Sequence, residues 1–278
     1  MPERLTDADA MNPLTTVQTV IDALTANITA ARPEPTVDKL LIGDPNAPVS
    51  GIVTTFMPTL SIARQAASLG ANLVIGHEGL FFSHHERLDG SSEGEIERIK
   101  RQQLEALEVA IFRLHDGIHR YSPDGITEGL VAKLGWSDHV REYRPEACLL
   151  DIPSAPLRDI AEEIKTRLGL ACLRISGRPE TVFSRVALLA GYRGGGTLTI
   201  PLLESKDADL VIYGEGPEWE TPEYVREAAR IGRQCGLIVL GHAESEDPGM
   251  ERLAESLSGL FPHIPVRHLR EEASLRIL

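Results

Sequence analysis

The stretch LVIGHE, residues 73–78, is a short apolar run that stops at a glycine and is followed at once by an imidazole and a carboxylate. Two other segments close in a similar way: IFRLHDGIH at 111–119 and LIVLGHAESE at 237–246. Each sets a histidine just past the end of an apolar strand. In parallel α/β sheets the carboxyl ends of the strands lie along one edge, and ligands bind in the crevice there. Three distant stretches can therefore converge on one site. The chain has nine histidines, and four of them, His77, His115, His119 and His242, lie in these segments.

Outward from these segments, short apolar strands alternate with helices. Strands are expected at 39–42, 51–56, 72–75, 109–114, 149–152, 172–175, 186–190, 210–213, 237–240 and 266–269. A first helix is expected at 13–31, where Val17, Val20, Ile21, Leu24 and Ile28 recur at helical spacing. Others are expected at 60–69, 93–107, 125–134, 155–168, 224–234 and 250–260. Pro33 and Pro35 end the first helix, because proline has no N–H to donate. Gly70 stops the second as its C′ residue. The alternation implies an α/β fold: two α/β lobes with mostly parallel central sheets covered by helices, and a metal site at strand carboxyl ends. The first lobe spans 1–135 and carries His77, Glu78 and His119. The second spans 136–278, and its segment 237–278 returns His242 and Glu246 to the first.

Composition narrows the function. The chain has 278 residues, 42% hydrophobic and 25% charged, enough to bury a substantial core. Its net charge of −13 and lack of a Lys/Arg run argue against nucleic acid and anionic membrane as partners. An acidic surface suits metal cations better. No apolar run reaches the roughly 18 residues of a membrane span, and residues 1–10 lack the basic and apolar regions of a signal peptide. Cys148, Cys172 and Cys235 are odd in number and form no CxxC pair, so they read as three buried thiols in a reducing compartment, and the expected location is cytoplasmic.

Each candidate has a structural reading beside the functional one. His77 at a strand end serves as readily for hydrogen bonding as for ligation. His115 and His119 are four apart, but Gly117 between them argues for a loop, and either alone reads as structural. His242 and Glu246 share a face if their segment coils into a helical turn. The conjunction points to metal, because imidazole with carboxylate is the usual ligand mix for zinc, iron or manganese. His84 and His85 lie in SHHERLDGSSEGE and read as a solvated loop. Gly194–Gly196 lacks phosphate-loop spacing and reads as a tight turn. His139, His263 and His268 read as structural.

The sequence resembles the family of GTP cyclohydrolase I type 2 homologues, also called NGG-interacting-factor-three-like dinuclear-metal hexameric proteins. The matching pieces are DKLLIGDPNAPVSGIV, AASLGANLVIGHEGLFF, FRLHDGIHRYSPDGITEGLVAKLGW, KDADLVIYGE and GLIVLGHAESE, in the family's order and approximate spacing. The family's ligands are an H-H pair, the aspartate of H-T-x-x-D, and the histidine and glutamate of G-H-x-x-x-E. Carried over, they fall on His77, Glu78, His119, His242 and Glu246. Glu78 replaces a histidine and His119 an aspartate, a reciprocal exchange that keeps three imidazoles and two carboxylates. If Glu78 and His119 bind one ion, as the family's site implies, its ligand charge is unchanged. GEGPEWE, at 214–220, stands where the family has G-D-x-x-H-H.

The resemblance implies two divalent ions (Zn, Fe or Mn), a homohexamer and a small-molecule substrate. Such a pair would activate water to hydrolyse an amide, a phosphoester or a purine-type ring C–N bond. Asp116, Glu244 and Glu215 are the candidate proton carriers. A non-catalytic metal-handling protein and an oligomeric scaffold are the alternative readings.

Overall fold

The computed structural model describes residues 14–85 and 94–275. The expectations for residues 1–10, for the start of the first helix and for the start of the 93–107 helix lie outside the described residues. In chain order the helices are α1 (Val17–Ala26), α2 (Leu60–Ser68), α3 (Glu95–Glu105), α4 (Gly125–Lys133), α5 (Leu157–Leu168), α6 (Gly196–Glu204), α7 (Thr221–Arg230) and α8 (His242–Leu260). The strands are β1 (Lys39–Ile42), β2 (Ile52–Thr55), β3 (Leu73–Gly76), β4 (Ala110–Arg113), β5 (Val140–Tyr143), β6 (Cys148–Pro156), β7 (Arg174–Ser176), β8 (Val182–Leu189), β9 (Leu210–Tyr213), β10 (Gly236–Val239) and β11 (Val266–His268).

Two sheets form. The first runs β1-β4-β3-β2-β11, parallel except where β1 meets β4. The second runs β5-β6-β8-β9-β10-β7. It is parallel at its centre, β8-β9-β10, and antiparallel where β5, β6 and β7 join.

The near-continuous apolar strands follow from burial on both faces. Side chains alternate sides with a period of two. Leu73 and Ile75 therefore face a core shared with α1, α4, α5 and α8, while Val74 faces α2 and α3. Phe112 and Ile111 divide in the same way. In the second sheet, Leu188, Ile212 and Ile238 join the shared core, and Leu189, Val211 and Leu237 face α6 and α7. One core thus bridges the two sheets.

Helix α8 links them. It starts just past β10 of the second sheet and packs along α4, β2 and β11 of the first. Its contact with α4 is backbone to backbone: a Cβ on Gly129 would lie 2.4 Å from the Cα of Gly249. The hydroxyl of Thr54 on β2 donates to the Met250 carbonyl of α8 at 2.8 Å.

Several elements differ from expectation. Helix α8 begins at His242, not at 250, and runs through Pro248. Gly194–Gly196 opens helix α6 instead of a plain turn. Strand β5 occupies a stretch with no expected element, a short and exposed edge strand. Cys172 is exposed, whereas Cys148 and Cys235 are buried as expected; burial pushes their thiols up to about 12 and about 11.

Candidate metal centre

The three signal segments meet, but across two sheets and not along one sheet edge. Strands β3 and β4 are neighbours in the first sheet, and β10 belongs to the second. His77 and Glu78 follow β3, and His115 and His119 follow β4, with His119 in a single 3-10 turn. His242 and Glu246 occupy the first turns of α8, one helical turn apart on one face, as the spacing implied. All of these but the fully buried His77 line a cavity of about 380 Å³, together with His84, Asp116, Arg120, Ala190, Tyr192 and Arg193.

The four imidazoles share one arrangement. The Nδ1 of His77 lies 3.1 Å from the Leu114 carbonyl. That of His115 lies 3.1 Å from Asp116 Oδ1, that of His119 3.0 Å from Asp124 Oδ2, and that of His242 3.0 Å from Glu215 Oε2. Each of these oxygens can accept from Nδ1, although Arg193 Nη2 also lies 3.1 Å from His119 Nδ1, and Nε2 is the nitrogen each neutral ring offers to a metal. Metal-binding histidines are oriented in this way. The Nε2 atoms turn toward two carboxylates. His77 and His242 lie 3.2 and 3.1 Å from Glu246 Oε2, and His119 lies 3.8 Å from Glu246 Oε1. His242 and His115 lie 3.6 and 3.8 Å from Glu78 Oε1.

At the bottom of the cluster, His77 Nε2 and Glu246 Oε2 are both buried and make no hydrogen bond. They are two acceptors face to face. A buried polar atom without a partner costs roughly 1–3 kcal/mol, and a cation between these two would satisfy both. The donor set, nitrogen and carboxylate oxygen, fits a zinc-, iron- or manganese-like ion. Trios of close donors occur as His77–His115–His119, Glu78–His84–His115 and His77–Glu78–Glu246. Glu78 and His119 share none of these trios, so the geometry does not join them on one ion.

The surrounding groups are those that sequence reading missed. Arg113 sits fully buried on β4 and donates Nη2 to Glu78 Oε2 at 3.0 Å. Burial opposes ionisation of Glu78, but His77, His115 and Arg113 outweigh it and hold its carboxyl below the usual range. Asp38 accepts the backbone N–H groups of His115, Asp116 and Gly117 at 2.7 to 2.8 Å, which shapes the loop after β4. Asp124 caps α4 through Oδ1 and meets His119 and Arg193 through Oδ2. Gly191, at φ +69°, lies so close that a Cβ there would fall 2.0 Å from Glu246 Oε1. None of these has a local pattern that marks it, apart from the aspartate that opens DKLLIGD.

The expected proton carriers are placed differently from one another. Asp116 reaches the cavity, but Val37 and Thr36 fill its Oδ2 and His115 meets its Oδ1. Those bonds overcome burial and hold it well below the usual carboxylate range, and it anchors the His115 ring. Glu215 is half-exposed and orients His242. Glu244 is not brought to the cavity. Its carboxylate folds back over Gly241, and the residue borders a separate cleft with Asp247, Glu251 and His268. His84, expected in a solvated loop, is exposed but lines the cavity, with its carbonyl 2.6 Å from Arg113 Nη1. His268 is structural in effect, between Thr54 and Asp247.

The family model described as Duf34/NIF3 (NGG1p interacting factor 3) matches residues 16–273. A "GTP cyclohydrolase 1 type 2 homolog" from Nostoc sp. is 27% identical over 225 residues, 76% of this chain and 79% of the relative. One of the same description from Chlamydia pneumoniae is 23% identical over 227 residues, 80% of this chain and 85% of the relative. The crystal structure of a Bacillus cereus protein related to NIF3 shares the fold, with a TM-score of 0.73 at 14% identity, over 96% of this chain and all of that one.

Proposed function

The chain belongs to the Duf34/NIF3 family, and from that premise we propose that it is a metal-dependent hydrolase holding two divalent ions through His77, Glu78, His119, His242 and Glu246. The facing lone pairs of His77 Nε2 and Glu246 Oε2, buried and without hydrogen bonds, carry this reading. Two such ions would supply Lewis acidity and a hydroxide nucleophile at neutral pH. The chain does the rest of the work. Asp116, Glu215, Asp124 and the Leu114 carbonyl fix the rings. Arg113 leaves Glu78 Oε1 free by occupying Oε2. Arg120 and the Asp124-paired Arg193 stand on the cavity wall, where they could meet an anionic group of a substrate.

The relatives' printed name supports a cyclohydrolase-like attack on a ring C–N bond, and the cavity chemistry is equally suited to a phosphoester. Sheet membership supports two lobes divided near residue 135, with α8 and β11 returning to the first. A hexamer is carried over from the resemblance, and light scattering measures it directly. No helix among the described residues is long and apolar enough to cross a membrane.

The test is elemental analysis of the purified protein beside Glu246→Gln, followed by assays of chelated and reconstituted protein on phosphoesters, amides and purine-type rings. About two ions per chain, lost in the variant, with metal-restored turnover, is expected. Full occupancy in Glu246→Gln removes the site assignment. Metal without turnover on any class moves the metal-handling reading to first place.

A further inference from the structure

His115 is fixed from three sides. Its backbone N–H donates to Asp38 at 2.7 Å. Its ring stacks on His77, with centroids 4.6 Å apart. Its Nδ1 meets Asp116 Oδ1 at 3.1 Å, and Asp116 cannot turn because Val37 and Thr36 hold its other oxygen at 2.9 Å. The remaining nitrogen, Nε2, lies 3.8 Å from Glu78 Oε1. That oxygen is also 3.6 Å from His242 Nε2, and it is the one Arg113 leaves open. Nitrogen and oxygen donors on one zinc-sized ion, each at roughly 2.0–2.1 Å, lie about 3–3.5 Å from one another. The two separations from Glu78 Oε1 are only slightly wider.

Exposure separates two levels in the cluster. The side chains of His77, Glu246 and His119 are 0, 3 and 9% exposed, whereas those of Glu78, His115 and His242 are 15, 17 and 29% exposed. We propose that His115 is a sixth ligand of the centre, sharing with Glu78 the ion nearer the cavity mouth. This rests on the two-ion reading above. His115 also stands in a trio with His77 and His119, but the free oxygen of Glu78 and the shared exposure favour the outer position.

The test uses the full-length protein stripped by chelation and titrated with Zn²⁺ against a chromophoric chelator, as wild type, His115→Ala and Asp116→Asn. Wild type is expected to bind two ions. His115→Ala should keep the tighter one and bind the second at least about tenfold more weakly. Asp116→Asn, which frees the ring without removing it, should weaken the second by roughly 10–100-fold. Nitrogen NMR of the histidine rings in wild type needs no variant to fold, and the His115 Nε2 signal should move to the metal-bound region when zinc is added. Two ions bound by His115→Ala with wild-type affinity, or an unmoved Nε2 signal at saturating zinc, overturns this assignment alone. Wild type that binds no zinc overturns it together with the reading it rests on.

Discussion

His242 must give up a proton before it can hold a metal. Burial disfavours its charge, but Glu246, then Glu215 and Glu78, outweigh burial and raise it to about 9. Metal binds the neutral ring, so in the metal-free protein each unit of pH below about 9 should weaken binding by up to tenfold. A titration of Zn²⁺ affinity between pH 6.5 and 9.5 should rise and then flatten, and His242→Gln should lose most of that slope. An equal slope in the variant would place the displaced proton elsewhere. Folding follows the opposite sign. The raised value means that protonated His242 stabilises the metal-free protein fully below about 6.5, and that this contribution fades as pH climbs through about 9. At this scale the donors were legible, because histidines after apolar strands form a repeated pattern. Arg113 was not, because a buried arginine inside an apolar strand looks like an edge residue until its partner Glu78 is in place. His115 could be seen as a histidine but not as a donor, since Asp116, Thr36 and Val37 must come together before its free nitrogen is defined.

Glycine decides how closely the elements approach. Gly191, after β8, takes φ +69° and leaves no room for a side chain beside Glu246. Its N–H donates to Ser245 Oγ at 2.9 Å, which ties that loop to the first turn of α8. Gly191→Ala should therefore strain the backbone by about 1–2 kcal/mol and push the Glu246 carboxylate aside. Metal content is expected to fall by about half or more while the far-ultraviolet circular dichroism stays native. Unchanged occupancy would mean that the loop yields and the close approach has no role. Helix α8 shows why element ends were hard to read. Pro248 and Gly249 are breakers by local preference, yet α8 runs through both from His242. Tertiary packing overrides that preference, because Gly249 is what lets α4 approach within backbone contact. The strands were easier, since burial on both faces leaves an unbroken apolar run that needs no partner to be recognised.

The whole molecule is held by one core that both sheets and α8 share. The proposed ions tie the same parts: residues after β3 and β4 of one sheet and residues after β10 of the other. Removing metal should therefore weaken the molecule without dividing it. A ligand that binds only the folded state stabilises by about 2.7 kcal/mol at a free concentration 100 times its Kd, and for a chain of this size that corresponds to roughly 5–10 °C in Tm. Calorimetry of chelated protein should show one transition lowered by about that amount and restored by zinc, with Glu246→Gln insensitive to either treatment. Two separated transitions after chelation would mean that the shared core does not couple the sheets and that metal alone joins them. A single transition unmoved by chelator would mean that the cluster is stable without a cation, with the lone pairs of His77 and Glu246 paired in some other way. The single lowered transition is expected because the apolar contacts between the sheets extend well beyond the site, from Leu73 and Phe112 through Met250 to Leu188 and Ile238.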